Sequence, residues 1–170
     1  MYGIIATWRM ALEGISKANS MLKNNESAAN SIEEAIKAVE NFEYYKSVGY
    51  GGLPNEEMEV ELDAAFMDGD TLEFGCVGGV KDFANPVSIA RSLMHYDANN
   101  FLAGQGAEKY ASRHGFERKT MLTDRAKIHY HNRIKEITNT ELKPYSGHDT
   151  VGMVCLDTAG HMTCATSTSG

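Results

Sequence analysis

The chain has 170 residues, with 16 lysines and arginines against 23 aspartates and glutamates, and a formal net charge of -7. Its 42% hydrophobic and 23% charged residues are typical of a folded globular protein of one domain, which excludes disordered and fibrous classes. The acidic balance argues against a nucleic-acid partner, because phosphate contacts need a clustered basic surface. The three cysteines include no CxxC pair, so we expect reduced thiols.

The first quarter of the chain predicts a strand, two helices and a loop. Residues 3–8 form a short apolar run typical of a buried strand. Apolar spacing then predicts helices over residues 10–22 and 27–41, and Ser27 is the expected N-cap of the second. Residues 47–55 are too rich in glycine for a helix and predict the end of a strand passing into a loop.

The middle of the chain predicts a β-hairpin followed by a helix. Residues 60–67 and 72–77 have the composition of strands, and the Asp-Gly-Asp-Thr segment between them is typical of a hairpin turn. Asn85 and Pro86 then predict a helix start, with asparagine as the N-cap and proline as the first helical residue.

The last third of the chain ends in a second predicted hairpin. Helical patterns cover residues 107–114 and 120–137, and residues 138–149 show neither helical nor strand period, which predicts an exposed connector. Residues 150–156 and 161–168 then alternate as strands around an Asp-Thr-Ala-Gly turn. Strands at the start, middle and end, with helices between them, predict a mixed α/β layered fold.

Several motifs that could carry chemistry have a simpler structural explanation. A possible dinucleotide fingerprint lacks its third glycine, and a possible calcium loop lacks the ligand spacing. Two histidines two residues apart on a helix cannot chelate one metal, and a lone cysteine has no histidine beside it in sequence. We therefore expect no cofactor and no metal ion. These motifs are Gly104 to Gly106, Asp68 with Asp70, His129 with His131, and Cys155.

One threonine is placed for nucleophilic catalysis. Thr150 lies between the connector and a strand, so cleavage before it would expose an α-amine that titrates near about 7.7–8.0 and can accept the hydroxyl proton. Counting across the hairpin places residues 167–169 opposite Thr150, so that Thr168 falls at or beside it, whereas Ser167 would point to the other face. The alternative is that residues 166–170 form only a polar strand edge.

Six short segments, taken together, resemble the glycosylasparaginase branch of the N-terminal-nucleophile hydrolases, within the larger asparaginase and isoaspartyl peptidase superfamily. The resemblance extends over essentially the whole chain, although residues 117–145 match loosely. The segments are Ala6-Thr7-Trp8, residues 47–52 with Pro54, Leu62-Asp63-Ala64 with Met67-Asp68-Gly69, Asn85-Pro86 with Ala90-Arg91, residues 147–153, and residues 166–170.

This resemblance implies an incomplete αββα sandwich that cuts its own chain. Residues 1–149 would form an α-subunit-like part ending in a flexible connector, and residues 150–170 would begin the β-subunit with the nucleophile hairpin. Self-cleavage would fall between Asp149 and Thr150.

The resemblance also implies a reaction and roles for individual residues. Thr150 would attack the side-chain carboxamide of N-acetylglucosaminyl-asparagine, forming a β-aspartyl enzyme and releasing the glycosylamine. Thr168 matches the residue that hydrogen-bonds the nucleophile, Trp8 matches a residue lining the aspartate-binding site, and Ser47 falls in the matching glycine-rich segment. From residue type alone, Trp8 would be expected in a core or an interface.

Members of this family continue beyond the length of this chain. Their later half supplies an arginine and an aspartate that hold the substrate, and a Thr-Gly pair that forms the oxyanion hole. We therefore expect this chain to be inactive alone. We expect it to need the remainder of the β-subunit, and to form a homodimer of αβ units when complete.

The sequence leaves two other functions open and predicts a location. The chemistry at Thr150 would equally serve an L-asparaginase or isoaspartyl peptidase acting on another β-aspartyl amide. A non-catalytic remnant or interaction subunit is the second alternative. No basic segment followed by a long apolar run begins the chain, and no stretch approaches membrane-spanning length, so we expect a cytoplasmic protein without a membrane partner.

Overall fold

Six strands that lie far apart in sequence form one sheet. The computed structural model describes residues 1–139 and 150–169. Its strands are β1 (Gly3–Ala6), β2 (Leu62–Asp68), β3 (Phe74–Val80), β4 (Phe101–Ala103), β5 (Val151–Leu156) and β6 (Met162–Ser169).

The strand order is β1-β5-β6-β2-β3-β4. All neighbouring strands are antiparallel except β3 and β4, which are parallel and joined through a helix. The predicted hairpins β2–β3 and β5–β6 are both confirmed, but their order in the sheet depends on long-range pairing. As a result, the β5–β6 hairpin lies between the N-terminal strand and β2.

The described helices are α1 (Leu12–Lys23), α2 (Ala28–Glu40), α3 (Pro86–Leu93), α4 (Gly104–Arg113) and α5 (Asp124–Asn139), with a 3-10 turn at Arg9–Ala11 before α1. The first four of these helices pack against one face of the sheet. Helix α2 contacts β5 and β6, α3 contacts β2 and β3, α1 lies against β1, and α4 lies against β3.

Alternation along the strands separates a buried face from an open one. In β5 the side chains of Val151, Met153 and Cys155 are buried against the helices. On the other face, Val154 and its cross-strand neighbour Ile5 are exposed. Successive residues of a strand point to opposite faces of the sheet. The alternation of buried and less buried residues in β5 therefore indicates that, within the described residues, only one face of the sheet is covered. The prediction of a mixed α/β layered fold is confirmed to this extent.

The start of α2 is as predicted, but the start of α3 is capped differently. The Ser27 side chain accepts a hydrogen bond from the Asn30 backbone N–H at 3.2 Å, as an N-cap residue should. Asn85 has a left-handed backbone (φ 51°) and makes no cap hydrogen bond to α3. Instead, Glu40 from the end of α2 accepts the Val87 N–H. Asn85 therefore occupies the predicted N-cap position, but its side chain does not cap the helix, because the distant Glu40 carboxyl supplies that acceptor.

Other boundaries differ from the predicted ones by a few residues. The first strand stops at Ala6, because the chain turns away at Trp8. No strand is described over residues 47–55, which form turns, and α4 begins at Gly104 directly after a short strand. The predicted connector at residues 138–149 lies largely outside the described residues, although α5 extends to Asn139. Within the described ranges, no helix combines the length and the apolar character that crossing a membrane requires.

Candidate active site

The hairpin end that carries Thr150 is the centre of the candidate site. Thr150 is half-buried and directly precedes β5. The β5–β6 register pairs Val151 with Ser167, and continuing it by one residue places Thr168 opposite Thr150. The two threonines therefore occupy facing positions on the open side of the sheet, whereas Ser167 is buried on the helix side.

The backbone of the glycine-rich segment holds the end of β6. The Thr168 hydroxyl donates to the Ser47 carbonyl at 3.2 Å, and the Ser169 N–H donates to the same carbonyl at 2.7 Å. A hydroxyl that donates its proton in this way keeps lone pairs that can accept a hydrogen bond. Thr168 is thereby oriented without its accepting capacity being used up by this contact.

Two glycines allow this segment to lie close to both α2 and β6. Gly49 has φ +65°, and a Cβ there would lie 2.3 Å from the Glu40 carbonyl oxygen at the end of α2. At Gly52 a Cβ would lie 2.4 Å from the Ser169 hydroxyl of β6. A side chain at Gly49 would therefore collide with α2, and one at Gly52 would collide with the hairpin. The composition that predicted a loop is thus also what brings Ser47 to Thr168.

Thr7 contacts the backbone on both sides of Val151. Its hydroxyl accepts a hydrogen bond from the Gly152 N–H at 2.8 Å and donates to the Thr150 carbonyl at 3.0 Å. Its own N–H donates to the Gly152 carbonyl at 2.9 Å. The sequence motif contained Thr7, but nothing in the pattern assigned it a contact with residue 150.

Trp8 is exposed and has a strained backbone. It has φ 62° and ψ 150°, a region that residues other than glycine rarely adopt. Its side chain is 53% exposed, so it does not lie in the core of the described chain. Such strain costs about 1–3 kcal/mol and is often retained at binding sites. Trp8 directly follows Thr7 in the chain, so its backbone lies at the same end of the hairpin as the candidate nucleophile.

Glu40 is a fully buried carboxyl beneath the hairpin. Its oxygens accept hydrogen bonds from the Val87 N–H and the Asn85 amide, each at 3.1 Å. Burial raises the pKa of Glu40 to about 7, against the opposing effects of the neighbouring Ser167 hydroxyl and of Asn85. A sequence signal could have revealed this buried carboxyl. Glu40 follows Ile36 by four residues and Ile32 by eight, which places it on the apolar face of α2.

Asp63 is a second acidic residue that the sequence reasoning did not assign. It pairs with Thr168 across β2 and β6, and its carboxylate accepts the Gly79 N–H at 2.8 Å. This contact lies where the register between β2 and β3 shifts. The backbone hydrogen bond orients the carboxylate on the same face as the threonines.

The remaining candidate motifs have structural roles or lie apart from the site. Asp68 accepts the N–H groups of Asp70 and Thr71 in the β2–β3 turn. Burial, and then the nearby Asp157 charge, raise the pKa of Cys155 to about 11, so its thiol stays protonated near neutral pH. Across residues 1–139 and 150–169 there is no group of three or more His, Cys, Asp or Glu side chains that could hold a metal ion. On α5, His131 is exposed and His129 is half-buried, and all three cysteines are free thiols.

Asp149, the other residue of the predicted cleavage site, lies outside the described residues. Gly170 at the end of the last motif does too. The structure therefore brings together one end of the β5–β6 hairpin and the residues Thr150, Thr168, Ser47, Thr7 and Trp8. The buried Glu40 carboxyl lies beside Ser167 on the helix side of that end.

The fold is of the mixed α/β class, with helices packed against one face of a single sheet. The candidate site is the hairpin that begins at Thr150. The chain belongs to the asparaginase family, whose family model, described as "Asparaginase", matches residues 5–170.

Curated relatives carry two kinds of name. The chain is 31% identical over 167 residues to an N(4)-(Beta-N-acetylglucosaminyl)-L-asparaginase of Elizabethkingia miricola, covering 98% of this chain and 49% of that protein. It is 37% identical over 167 residues to an isoaspartyl peptidase/L-asparaginase of Mus musculus (93% and 50%), and 31% identical over 165 residues to an isoaspartyl peptidase of Escherichia coli strain K12 (92% and 51%). The chain thus spans about half the length of the curated relatives it matches.

Proposed function

We propose that this chain carries the nucleophile of a self-cleaving amidohydrolase that acts on the β-carboxamide of asparagine derivatives. The observation that carries the proposal is the placement of Thr150 at the head of β5, opposite Thr168, in a chain of the asparaginase family. In this proposal residues 1–149 are the α-subunit part and residues 150–170 begin the β-subunit.

Self-cleavage begins with attack of the Thr150 hydroxyl oxygen on the carbonyl carbon of Asp149. The C–N bond between the two residues breaks as the C–O bond forms, and the nitrogen takes up the hydroxyl proton. Water then hydrolyses the resulting ester, leaving the Asp149 carboxylate and a free Thr150 α-amine. The amine titrates near about 7.7–8.0 and can act as the base for the same hydroxyl.

Turnover repeats this chemistry on the substrate. The Thr150 oxygen attacks the side-chain carboxamide, a β-aspartyl ester forms, and the amine leaves with a proton. Water then releases aspartate. Thr168 positions the nucleophile, and Trp8 lines the pocket for the aspartyl part of the substrate.

We propose N-acetylglucosaminyl-asparagine as the substrate, with the glycosylamine as the leaving group. Its support is the glycosylasparaginase-like segment at residues 47–52 and the name of the Elizabethkingia miricola relative. A second candidate is supported by the higher identity, 37%, to the Mus musculus protein named isoaspartyl peptidase/L-asparaginase. In that case ammonia or an amino acid would leave instead.

The open face of the sheet supports the remaining part of the proposal. Val154, Met162 and Phe74 are exposed there, and the curated relatives are about twice as long as this chain. In the full-length protein we propose that a second sheet with its own helices covers this face and completes an αββα sandwich. That half supplies the oxyanion hole and the groups that bind the substrate's α-amine and α-carboxylate, and αβ units then pair as a homodimer.

The test compares the full-length wild type with Thr150→Ala and with Thr158→Val. Thr158 lies at the opposite end of the same hairpin, where its hydroxyl donates to Asn25, so its loss removes a comparable hydrogen bond away from the site. We expect the wild type and Thr158→Val to yield a fragment whose N-terminus is Thr150. Thr150→Ala should stay intact, and its kcat should fall by more than about 1000-fold.

Mass spectrometry, N-terminal sequencing and amide hydrolysis provide the measurements. Release of ammonia from asparagine, compared with release from glycosylated asparagine, separates the two substrate candidates. Normal hydrolysis by Thr150→Ala would contradict the proposal. An intact and inactive wild type would favour a non-catalytic remnant or interaction subunit.

A further inference from the structure

The Thr7 hydroxyl takes the place of a backbone carbonyl in the sheet. Along β1 and β5 the paired residue numbers are Gly3 with Leu156 through Ala6 with Met153, and the next pair would be Thr7 with Gly152. The Thr7 N–H does donate to the Gly152 carbonyl at 2.9 Å. The return hydrogen bond, however, runs from the Gly152 N–H to the Thr7 side-chain oxygen at 2.8 Å. The chain leaves the sheet at Trp8, where φ is 62°, and the side chain completes the pair.

The same hydroxyl reaches one residue further toward the candidate nucleophile. Its oxygen lies 3.0 Å from the Thr150 carbonyl and 3.5 Å from the Gly152 carbonyl, so its single proton is best placed for Thr150. One side chain therefore accepts from the peptide after Val151 and donates to the peptide before it. The two hydrogen bonds fix the orientation of both peptide planes.

We propose that Thr7 is a positioning residue for the Thr150 nucleophile. This inference rests on the proposed function described above. Once the peptide bond before Thr150 is broken, the residue becomes a chain terminus, and terminal residues fray unless they are tied down. Holding the Thr150 carbonyl limits rotation of that residue, and so fixes the direction of both its amine and its hydroxyl. Displacement of a reacting group by about 1 Å can cost on the order of 100-fold in rate.

Substitution of Thr7 can separate this role from a general effect on folding. Thr7 is exposed in the described chain, so Thr7→Val keeps the β-branched shape and removes both hydrogen bonds without opening a core cavity. Thr7→Ser keeps the hydroxyl and serves as the conservative rescue. Thr158→Val again provides a hydroxyl loss at the far end of the hairpin.

The experiment measures the self-cleavage rate, kcat and KM of the full-length protein and these variants on a β-aspartyl amide. For Thr7→Val we expect self-cleavage and kcat to fall by about 10- to 100-fold, with KM changed by less than about threefold. Thr7→Ser and Thr158→Val should stay within about threefold of the wild type in both parameters. An unchanged kcat in Thr7→Val would overturn the inference. So would a rise in KM at constant kcat, because it would indicate that Thr7 binds substrate instead.

Amide hydrogen exchange tests the underlying contact whether or not the protein is an amidohydrolase. The Gly152 N–H donates to the Thr7 hydroxyl, so its exchange should be about tenfold or more faster in Thr7→Val and close to wild type in Thr7→Ser. Equal Gly152 protection in all three proteins would overturn the positioning role. Faster exchange in Thr7→Val in a protein that shows no cleavage or hydrolysis would refute the proposed function, and with it a role in catalysis, while the contact itself would stand.

Discussion

The two ends of the β5–β6 hairpin use polar side chains in different ways. At the turn end, Asp157 accepts three backbone N–H groups, from Ala28, Ala159 and His161, each at 3.0 Å. At the threonine end, hydroxyls donate to backbone carbonyls, Thr7 to Thr150 and Thr168 to Ser47. The Asp157 carboxylate only accepts, whereas the Thr7 hydroxyl both accepts the Gly152 N–H and donates, and the Thr168 hydroxyl keeps lone pairs that can accept a hydrogen bond. The difference indicates where chemistry is possible on an otherwise regular hairpin.

The largest predicted effect is on the pH dependence of the free energy of unfolding. It arises because the buried Glu40 carboxyl lies beside the threonine end of the hairpin. Burial raises the pKa of Glu40 to about 7 from its ordinary value of 4.5. The folded state therefore binds this proton more tightly, and the group's contribution to stability is full below about pH 4.5 and lost as the pH rises to about 7. The pKa difference corresponds to on the order of 3 kcal/mol.

Glu40→Gln removes this titration from the full-length protein. Relative to wild type, the variant should gain about 3 kcal/mol in the free energy of unfolding between about pH 4.5 and pH 8. Urea denaturation at both pH values measures it, and any constant offset from altered hydrogen bonding to Asn85 or Val87 cancels in the difference. A wild-type-to-variant difference that is the same at both pH values would show that Glu40 does not titrate in this range.

At the turn end the expected effect is on stability and not on chemistry. Although burial opposes ionisation of Asp157, its hydrogen bonds from Ala28, His161 and Ala159 hold its pKa below the ordinary range. Its stabilisation is therefore present above about pH 3.8 and is lost as the pH falls. Asp157→Ala leaves a buried N–H unpaired at the start of α2 and should cost about 1–3 kcal/mol.

The activity of Asp157→Ala per folded molecule should match wild type. Val151 to Leu156 span roughly 20 Å at about 3.3 Å per residue, so the turn is far from Thr150. Thermal unfolding and kcat, measured on the same preparation, check both parts. Loss of kcat in a folded Asp157→Ala protein would mean that the two ends of the hairpin are coupled.

The smallest predicted change is a gain in stability at the threonine end. Trp8→Gly places glycine at φ 62° and should relieve strain, stabilising the protein by about 1 kcal/mol. Trp8→Ala keeps the strain while also removing the ring, and is the matched control. Both variants should raise KM for a β-aspartyl amide, but only the glycine variant should have a higher Tm. A Tm for Trp8→Gly below that of Trp8→Ala would show that the backbone there is not strained.

Local signals in the sequence predicted many of the elements but few of their contacts. Ser27 as a cap, Pro86 as a first helical residue and the two hairpin turns depend on neighbours in the chain, and each was found as predicted. Asn85 was correctly placed at the start of α3, but its side chain is not the cap, because the acceptor is Glu40, 45 residues earlier.

In the candidate site, too, local relations could be predicted and long-range contacts could not. The spacing across one hairpin brought Thr168 opposite Thr150. The hydrogen bonds of Thr7 to Thr150 and of Thr168 to Ser47 span 143 and 121 positions, respectively. Neither separation has a period that a sequence pattern could reveal. Residue type alone left both a core and an interface open for Trp8, and its 53% exposure excludes the core of the described residues.

The strand order has a consequence for how the newly synthesised chain folds. Strands β5 and β6, which lie between β1 and β2 in the sheet, emerge from the ribosome later than the other four described strands. Until then β1 has no partner, and its contacts with β5 close a loop of about 150 residues, an arrangement of high contact order that slows folding. If Thr150 is the nucleophile, its surroundings exist only after that late insertion. In that case we expect a nascent chain to stay uncut until the hairpin has entered the sheet.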